Sequence, residues 1–147
     1  MIRGYFSHTG SSRRPFLNAV FYFPTFNHSM EVPLLLDTGA DRTILAPFDA
    51  LRLARRLRIS LTTLPSGAPS AGVGGQAKTR TVDAVLSLDA FSTPLSLTIL
   101  QPPPGPLPAI PSLLGRDVLS RFGLFVEQRT NRVLLLEPHE ADALILP

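Results

Sequence analysis

The stretch PLLLDTGADRTIL, Pro33 to Leu45, decides how this chain is read. An apolar strand runs straight into Asp37, Thr38 and Gly39, and apolar character resumes at Ile44 and Leu45. A carboxylate at the end of a hydrophobic strand costs several kcal/mol to bury unless it is hydrogen-bonded, protonated or paired. Thr38 brings a hydroxyl beside it, and Gly39 lets the backbone turn tightly enough to aim amide groups at the carboxylate. The stretch occurs once.

The rest of the composition fits one domain built mainly from strands. A chain of 147 residues can bury roughly 68–70% of its unfolded surface. With 44% hydrophobic residues, wholesale disorder is excluded. Fifteen prolines and ten glycines cut the chain into short segments, which favours strands over long helices. There is no cysteine, so disulfides, thiol catalysis and cysteine zinc sites are excluded. Net charge is +3, a modest surplus that does not mark a dedicated nucleic-acid binder.

Working outward from Asp37, Ile2–Phe6 reads as a short terminal strand, His8–Arg14 as a polar loop and Pro15–Phe23 as a strand rich in aromatic and β-branched residues. A turn over Pro24–Ser29 leads to the strand Met30–Leu36. Pro47–Leu57 reads as a helix, with proline in its first turn and Phe48, Leu51, Ala54 and Leu57 at helical spacing. Pro65–Gly75 is a loop of Gly, Pro, Ser and Ala. Strands follow at Gln76–Leu88 and Leu95–Leu100, then an extended proline-rich run, Gln101–Pro111. Ser112–Leu119 begins as a strand and ends in a turn or short helix. Phe122–Gln128 and Arg132–Glu137 form a hairpin across Thr130 and Asn131.

Three motifs stand in a fixed order: LLLDTGADRTIL at Leu34–Leu45, AGVGGQAKTR at Ala71–Arg80 and LLGRDVL at Leu113–Leu119. Together they resemble the retropepsin family, the homodimeric aspartic proteases of retroviruses and their cellular and bacterial relatives. The likeness covers about residues 15–138. The helical segment after the first motif, and Asp117 where viral members usually carry Asn, place it nearer the cellular and bacterial relatives. The fold this implies is all-β: one domain over residues 1–147, a closed barrel of short strands with a hairpin flap and one or two short helices.

The resemblance also implies a chemistry. Hydrolysing an amide without a metal or a covalent nucleophile requires a base for water and an acid for the carbonyl oxygen, and two carboxylates sharing a proton supply both. This chain carries one DTG, so the second carboxylate must come from a second copy in a twofold dimer. Asp37, Thr38 and Gly39 are then catalytic: Thr38 reaches across the axis to the partner's loop, and Gly39 offers its carbonyl to substrate. Ala40 stands where pepsin-like enzymes usually carry Ser, and losing that hydroxyl implies an optimum only mildly acidic. Asp41 and Arg116 take the places of a structural ion pair, worth ~3–5 kcal/mol to break if it is buried. Gly72, Val73, Gly74 and Gly75 resemble the flap tip. Ile110, Pro111 and Leu113 resemble the wall of the side-chain pocket, and Ala40 and Asp41 also border the substrate. The implied substrate is an extended peptide or protein segment with apolar residues around the cut. No cofactor and no metal are implied.

Two other functions remain compatible with the residues. The domain could be a catalytically inactive dimerisation or peptide-binding module of the same fold. It could instead bind anions through Arg52, Arg55, Arg56 and Arg58, although the small net charge speaks against nucleic acid and reads them as a solvated helix face. His8, His28 and His139 are too scattered for a metal site. Met1–Arg14 lacks the apolar core of a secretion signal, and Phe16–Phe26 is short and broken by Pro24, so the expectation is a cytoplasmic protein without a membrane segment.

Overall fold

Alternation along two long strands sets the core. The computed structural model describes residues 1–8, 12–72, 75–145 and 147. It begins with two short strands, β1 (Ile2–Arg3) and β2 (Tyr5–Ser7), then β3 (Arg14–Phe23) and β4 (His28–Leu36). Leu17, Ala19, Phe21 and Phe23 of β3 and Met30, Val32, Leu34 and Leu36 of β4 point inward, in an antiparallel register that sets Phe21 opposite Met30 and Leu17 opposite Leu34. Burying each of these large side chains stabilises the fold by about 1.5–3 kcal/mol. The turn between them is a single 3-10 turn, Pro24–Phe26, ended by Asn27 in the left-handed region.

After Asp37 comes β5 (Ile44–Leu45), then α1 (Pro47–Leu57), the hairpin β6 (Ser70–Gly72) and β7 (Gly75–Ala77), and the long hairpin β8 (Thr79–Leu88) and β9 (Phe91–Leu100). The last third holds β10 (Ser112–Leu114), α2 (Arg116–Leu119), β11 (Gly123–Glu127), β12 (Arg132–Leu136) and α3 (Pro138–Asp142). The strands β3-β4-β10-β5-β9-β8 lie side by side in that order, and β8 returns to pair with β3, closing a six-stranded barrel. β2 flanks β3 outside the ring, while β1, β12 and β11 form a separate three-stranded sheet.

Several sequence readings need correction; Gln76–Leu88, read as one strand, is divided into β7 and β8, and β9 starts at Phe91, four residues before Leu95. Ile2–Phe6 is two strands in two sheets. The chain changes sheet at Gly4, where a Cβ would lie 2.4 Å from the Phe16 carbonyl oxygen. Ser70–Gly72, read as loop, is a strand because Gly75–Ala77 pairs with it. On α1 the buried face is Ala50 and Leu53, with Ala54 and Leu57 packed against the core, and Phe48 is 63% exposed. The inward stripe is therefore rotated away from the Phe48–Leu51 spacing. Leu144 and Ile145 form no strand, and Leu146 lies outside the described residues. Among the described residues, no helix is long and apolar enough to cross a membrane.

Candidate active site

The Asp37 loop is shaped by a strand inserted where its own two strands would otherwise meet. β10 lies between β4, to which it is parallel, and β5, to which it is antiparallel. The chain from Asp37 to Thr43 must therefore pass over the end of β10. That crossing is tight: a Cβ on Gly115 would lie 2.4 Å from both the carbonyl carbon and oxygen of Arg42. Only glycine fits beneath the loop.

Within the loop the backbone amides serve the carboxylate. The Asp37 N–H donates to the Leu114 carbonyl at 3.1 Å, which fixes Asp37 to β10. The Gly39 N–H donates to Asp37 Oδ1 at 2.9 Å, and the Ala40 N–H to the Asp37 carbonyl at 3.2 Å. A Cβ at residue 39 would stand 3.3 Å from that same Oδ1, so glycine gives the carboxylate its room. Asp37 and Ala40 are half-buried, and Thr38 and Gly39 are exposed in the single chain.

Beyond the turn, α2 grips the loop from below. The Arg116 N–H donates to the Ala40 carbonyl at 2.8 Å and the Asp117 N–H to the Asp41 carbonyl at 3.2 Å. The buried Thr43 completes the grip. Its N–H and hydroxyl donate to the two oxygens of Asp117 at 2.9 and 2.8 Å, while its Oγ1 accepts the Gly115 N–H at 3.2 Å. Sequence reasoning noted Asp117 only as a departure and missed Thr43, because their pairing spans 74 residues and leaves no local signal. Arg116 and Asp41 form an ion pair, but their side chains are 58% and 78% exposed. The buried-pair figure therefore does not apply, and an exposed pair is worth about 0–1 kcal/mol.

The remaining sequence-derived positions are distributed around this loop. Leu113 lies opposite Leu35 on one side and Ile44 on the other, and the three make a half-exposed apolar row across β4, β10 and β5. Ile110 and Pro111 line a groove of about 630 Å³ with Tyr5, Phe16, Pro33 and Phe48. Asp37 is not among the residues lining that groove. At its floor, buried Ser112 accepts the Ala46 N–H at 2.8 Å and donates to Asp49 at 2.6 Å, which ties α1 to β10. Arg52 bonds the Glu31 carbonyl and lies 3.6 Å from Asp49, so it is tethered and not part of a free arginine face, whereas Arg55, Arg56 and Arg58 are exposed.

Gly72 and Gly75 pair across the β6–β7 hairpin, and Val73 and Gly74 lie outside the described residues. Arg80, which sequence reasoning did not single out, anchors the hairpin base. It donates to the Leu64 carbonyl and Ser66 Oγ at 3.1 Å and to Gln101 at 3.4 Å. Among the described residues, no three His, Asp or Glu side chains gather as metal ligands.

A closed six-stranded barrel with a DTG loop crossing an inserted strand is the retropepsin-like aspartic protease fold. The chain resembles the retropepsin-like aspartic protease from Rickettsia conorii with a TM-score of 0.60 at 19% identity, covering 89% of this chain and 98% of that one. It resembles the EIAV protease in complex with an inhibitor with a TM-score of 0.52 at 21% identity, covering 78% of this chain and 91% of that one. No protein-family model matches the sequence, and no curated protein matches it.

Proposed function

We propose that this protein is an aspartic endopeptidase, active as a homodimer, that hydrolyses extended peptide segments with apolar residues around the cut. The observation that carries the reading is the Asp37 loop: an amide-supported carboxylate, held on both sides by β10 and α2 and present once per chain. Two such loops facing each other supply a carboxylate pair. The ionised member accepts a proton from water as its oxygen attacks the peptide carbonyl carbon, and the protonated member donates to the carbonyl oxygen. Collapse of the tetrahedral species breaks the C–N bond, and the amine leaves with a proton.

In this reading Thr38, exposed in the single chain, reaches the partner's loop, and Gly39 and Ala40 present backbone groups to the substrate. The Gly72–Gly75 hairpin acts as the flap. Leu113, within its row with Leu35 and Ile44, gives the apolar wall next to the carboxylates, and Ile110 and Pro111 extend it. Ala40 leaves the carboxylates without the hydroxyl that pepsin-like enzymes supply, which favours a mildly acidic optimum.

The test is hydrolysis of a peptide library between pH 4 and 7 by the wild type and by Asp37→Asn. Cleavage abolished in Asp37→Asn, with a rate that climbs faster than linearly with protein concentration, is the expected result. Cleavage that survives Asp37→Asn overturns the mechanism. Peptide binding without cleavage selects the inactive module. The groove beside Ile110 and Pro111 supports that second reading, because it is large, mainly apolar with Arg14, Asp49 and Arg52 among its lining, and not lined by Asp37.

A further inference from the structure

We infer that the groove lined by α1 and by the run Leu107–Pro111 is a docking site for an extended peptide segment that carries an apolar side chain next to a cluster of carboxylates. The inference goes beyond the chemistry of Asp37 and names a second place where a protein partner is held.

The groove is built on the outside of the barrel. Tyr5 of β2 lies opposite Phe16 of β3, and Ser7 opposite Arg14, so these side chains share the face turned away from buried Phe6 and Leu17. Phe48 and Arg52 of α1 and the run Leu107–Pro111 supply most of the remaining lining, around about 630 Å³. The bond from Ser112 to Asp49 ties α1 to the end of that run. The concavity is therefore formed by the fold itself, as binding grooves usually are.

Its apolar side chains are exposed where burial would stabilise them. Phe48 is 63% exposed, Ile110 46% and Tyr5 40%, and all three border the same groove. Single apolar residues scattered over a surface need no partner, but several converging on one concavity mark a binding site. The lining also offers backbone. Among the described residues, the backbone of Leu107, Ala109 and Ile110 makes no hydrogen bond. An extended peptide laid beside that run pairs with these groups while its side chains enter the groove. The concave shape favours a chain over a lipid surface, which would meet the ridge of α1 and not the hollow beside it.

Charge defines the other half of the ligand. Asp49 is buried, and its carboxylate is taken up by Ser112 and Arg52. Arg14 lies over the Phe16 ring at 5.8 Å and has no carboxylate partner among the described residues. Arg52 is tethered through one terminal nitrogen, and its buried Nε has no hydrogen-bond partner. The Glu31 side chain is outside the lining. Further along α1, Arg55 and Arg56 follow Arg52 at i+3 and i+4, which puts them on the same face, and Arg58 caps the helix. All three are exposed and unpaired among the described residues, and Asp49 is the helix's only acid. A peptide that leaves the groove along α1 meets only cations, so carboxylates beside its apolar anchor are what the surface selects.

The test is fluorescence polarisation with Asp37→Asn protein, which leaves the probe uncut. The probe is a fluorescein-labelled peptide, Pro-Leu-Phe-Glu-Asp-Glu, set against its neutral counterpart Pro-Leu-Phe-Gln-Asn-Gln. The acidic peptide should bind about 10-fold tighter at low salt, and the difference should vanish in 1 M salt as the charges are screened. Phe48→Ala should weaken both peptides about 10-fold. Arg55→Glu combined with Arg56→Glu should weaken only the acidic one, again about 10-fold, and Val20→Ala, outside the lining, should change neither. All these positions are exposed, so the variants should fold, which circular dichroism checks. Equal binding of the two peptides overturns the inference, as does binding indifferent to Phe48→Ala. Failure of the acidic peptide to bind also overturns it, whether or not phosphatidylserine vesicles or single-stranded DNA bind instead. Docking of the probe in a protein whose wild type cleaves nothing would leave this inference standing and remove the protease. Cleavage by a wild type whose Asp37→Asn form ignores the probe would do the reverse.

Discussion

Replacing Gly115 with alanine tests whether the loop crossing over β10 really positions Asp37. The added methyl would sit 2.4 Å from the Arg42 carbonyl carbon and oxygen and 2.9 Å from its nitrogen. Ordinary contact begins near 3.4 Å, so relief requires the crossing to rise by about 1 Å. The atoms in the way are backbone, with no flexible side-chain end that could swing aside. Five hydrogen bonds span this crossing: Arg116 N–H to Ala40, Asp117 N–H to Asp41, Gly115 N–H to Thr43, and the Thr43 N–H and hydroxyl to Asp117. A rise of that size stretches all of them. Overpacking costs about 1–3 kcal/mol, and weakening a buried hydrogen bond adds about 1 kcal/mol, so the loss should be about 2–4 kcal/mol. In a domain of this size each kcal/mol lowers Tm by roughly 2–4 °C. Because Asp37 lies in the same loop, a 1 Å displacement should also lower kcat about 100-fold. Thermal unfolding by circular dichroism and peptide hydrolysis well below the new Tm read the two effects separately. A Gly115→Ala protein with unchanged Tm and unchanged kcat would refute the reasoning, because the crossing would then have slack that the packing denies.

Other substitutions probe neighbouring links. Thr43→Val keeps the volume but removes a hydroxyl that both accepts from Gly115 and donates to Asp117; denaturant unfolding should show a loss of about 1–3 kcal/mol, largely restored by Thr43→Ser. Asp41→Asn removes an exposed ion pair with Arg116 and should change stability by less than about 1 kcal/mol. A loss several times larger by the same measurement would mean that the pair is covered in the assembled protein. Hydrogen bonds from Thr130 and then Arg132, helped by the Arg132 charge and by Arg129, hold the Glu127 carboxyl below the usual range. A group lowered in this way stabilises the folded state above its unfolded value and loses that effect as pH falls through the folded one. Tm should therefore drop on acidification below the usual carboxylate range, and Glu127→Gln should flatten that part of the profile.

What could be read from the chain alone was what depends on neighbours a few residues apart. The α1 bounds, Pro47 to Leu57, follow from a first-turn proline and a run of residues at helical spacing. The aromatic and β-branched residues of Pro15–Phe23, and the apolar run Met30–Leu36 leading into Asp37, locate β3 and β4. Asp37, Thr38 and Gly39 stand out because a carboxylate closing an apolar strand needs a local remedy, which the Gly39 amide supplies. The face of α1 was not decided this way. Phe48 fits a helical stripe as well as Ala50 does, and only packing against β9 and β4 turns Ala50 and Leu53 inward.

The support of the site belongs to tertiary structure. Nothing near Ser112 in the sequence says that its hydroxyl donates to Asp49 of α1, 63 residues away. Nothing near Thr43 points to Asp117, and Gly115 reveals its necessity only once Arg42 is laid across it. These contacts arise because β10 enters the barrel between β4 and β5, a strand order that no short-range pattern encodes. A carboxylate and its turn can be written into thirteen consecutive residues. The rigid frame that aims the carboxylate is made by long-range strand pairing, which exists only once the chain has closed on itself.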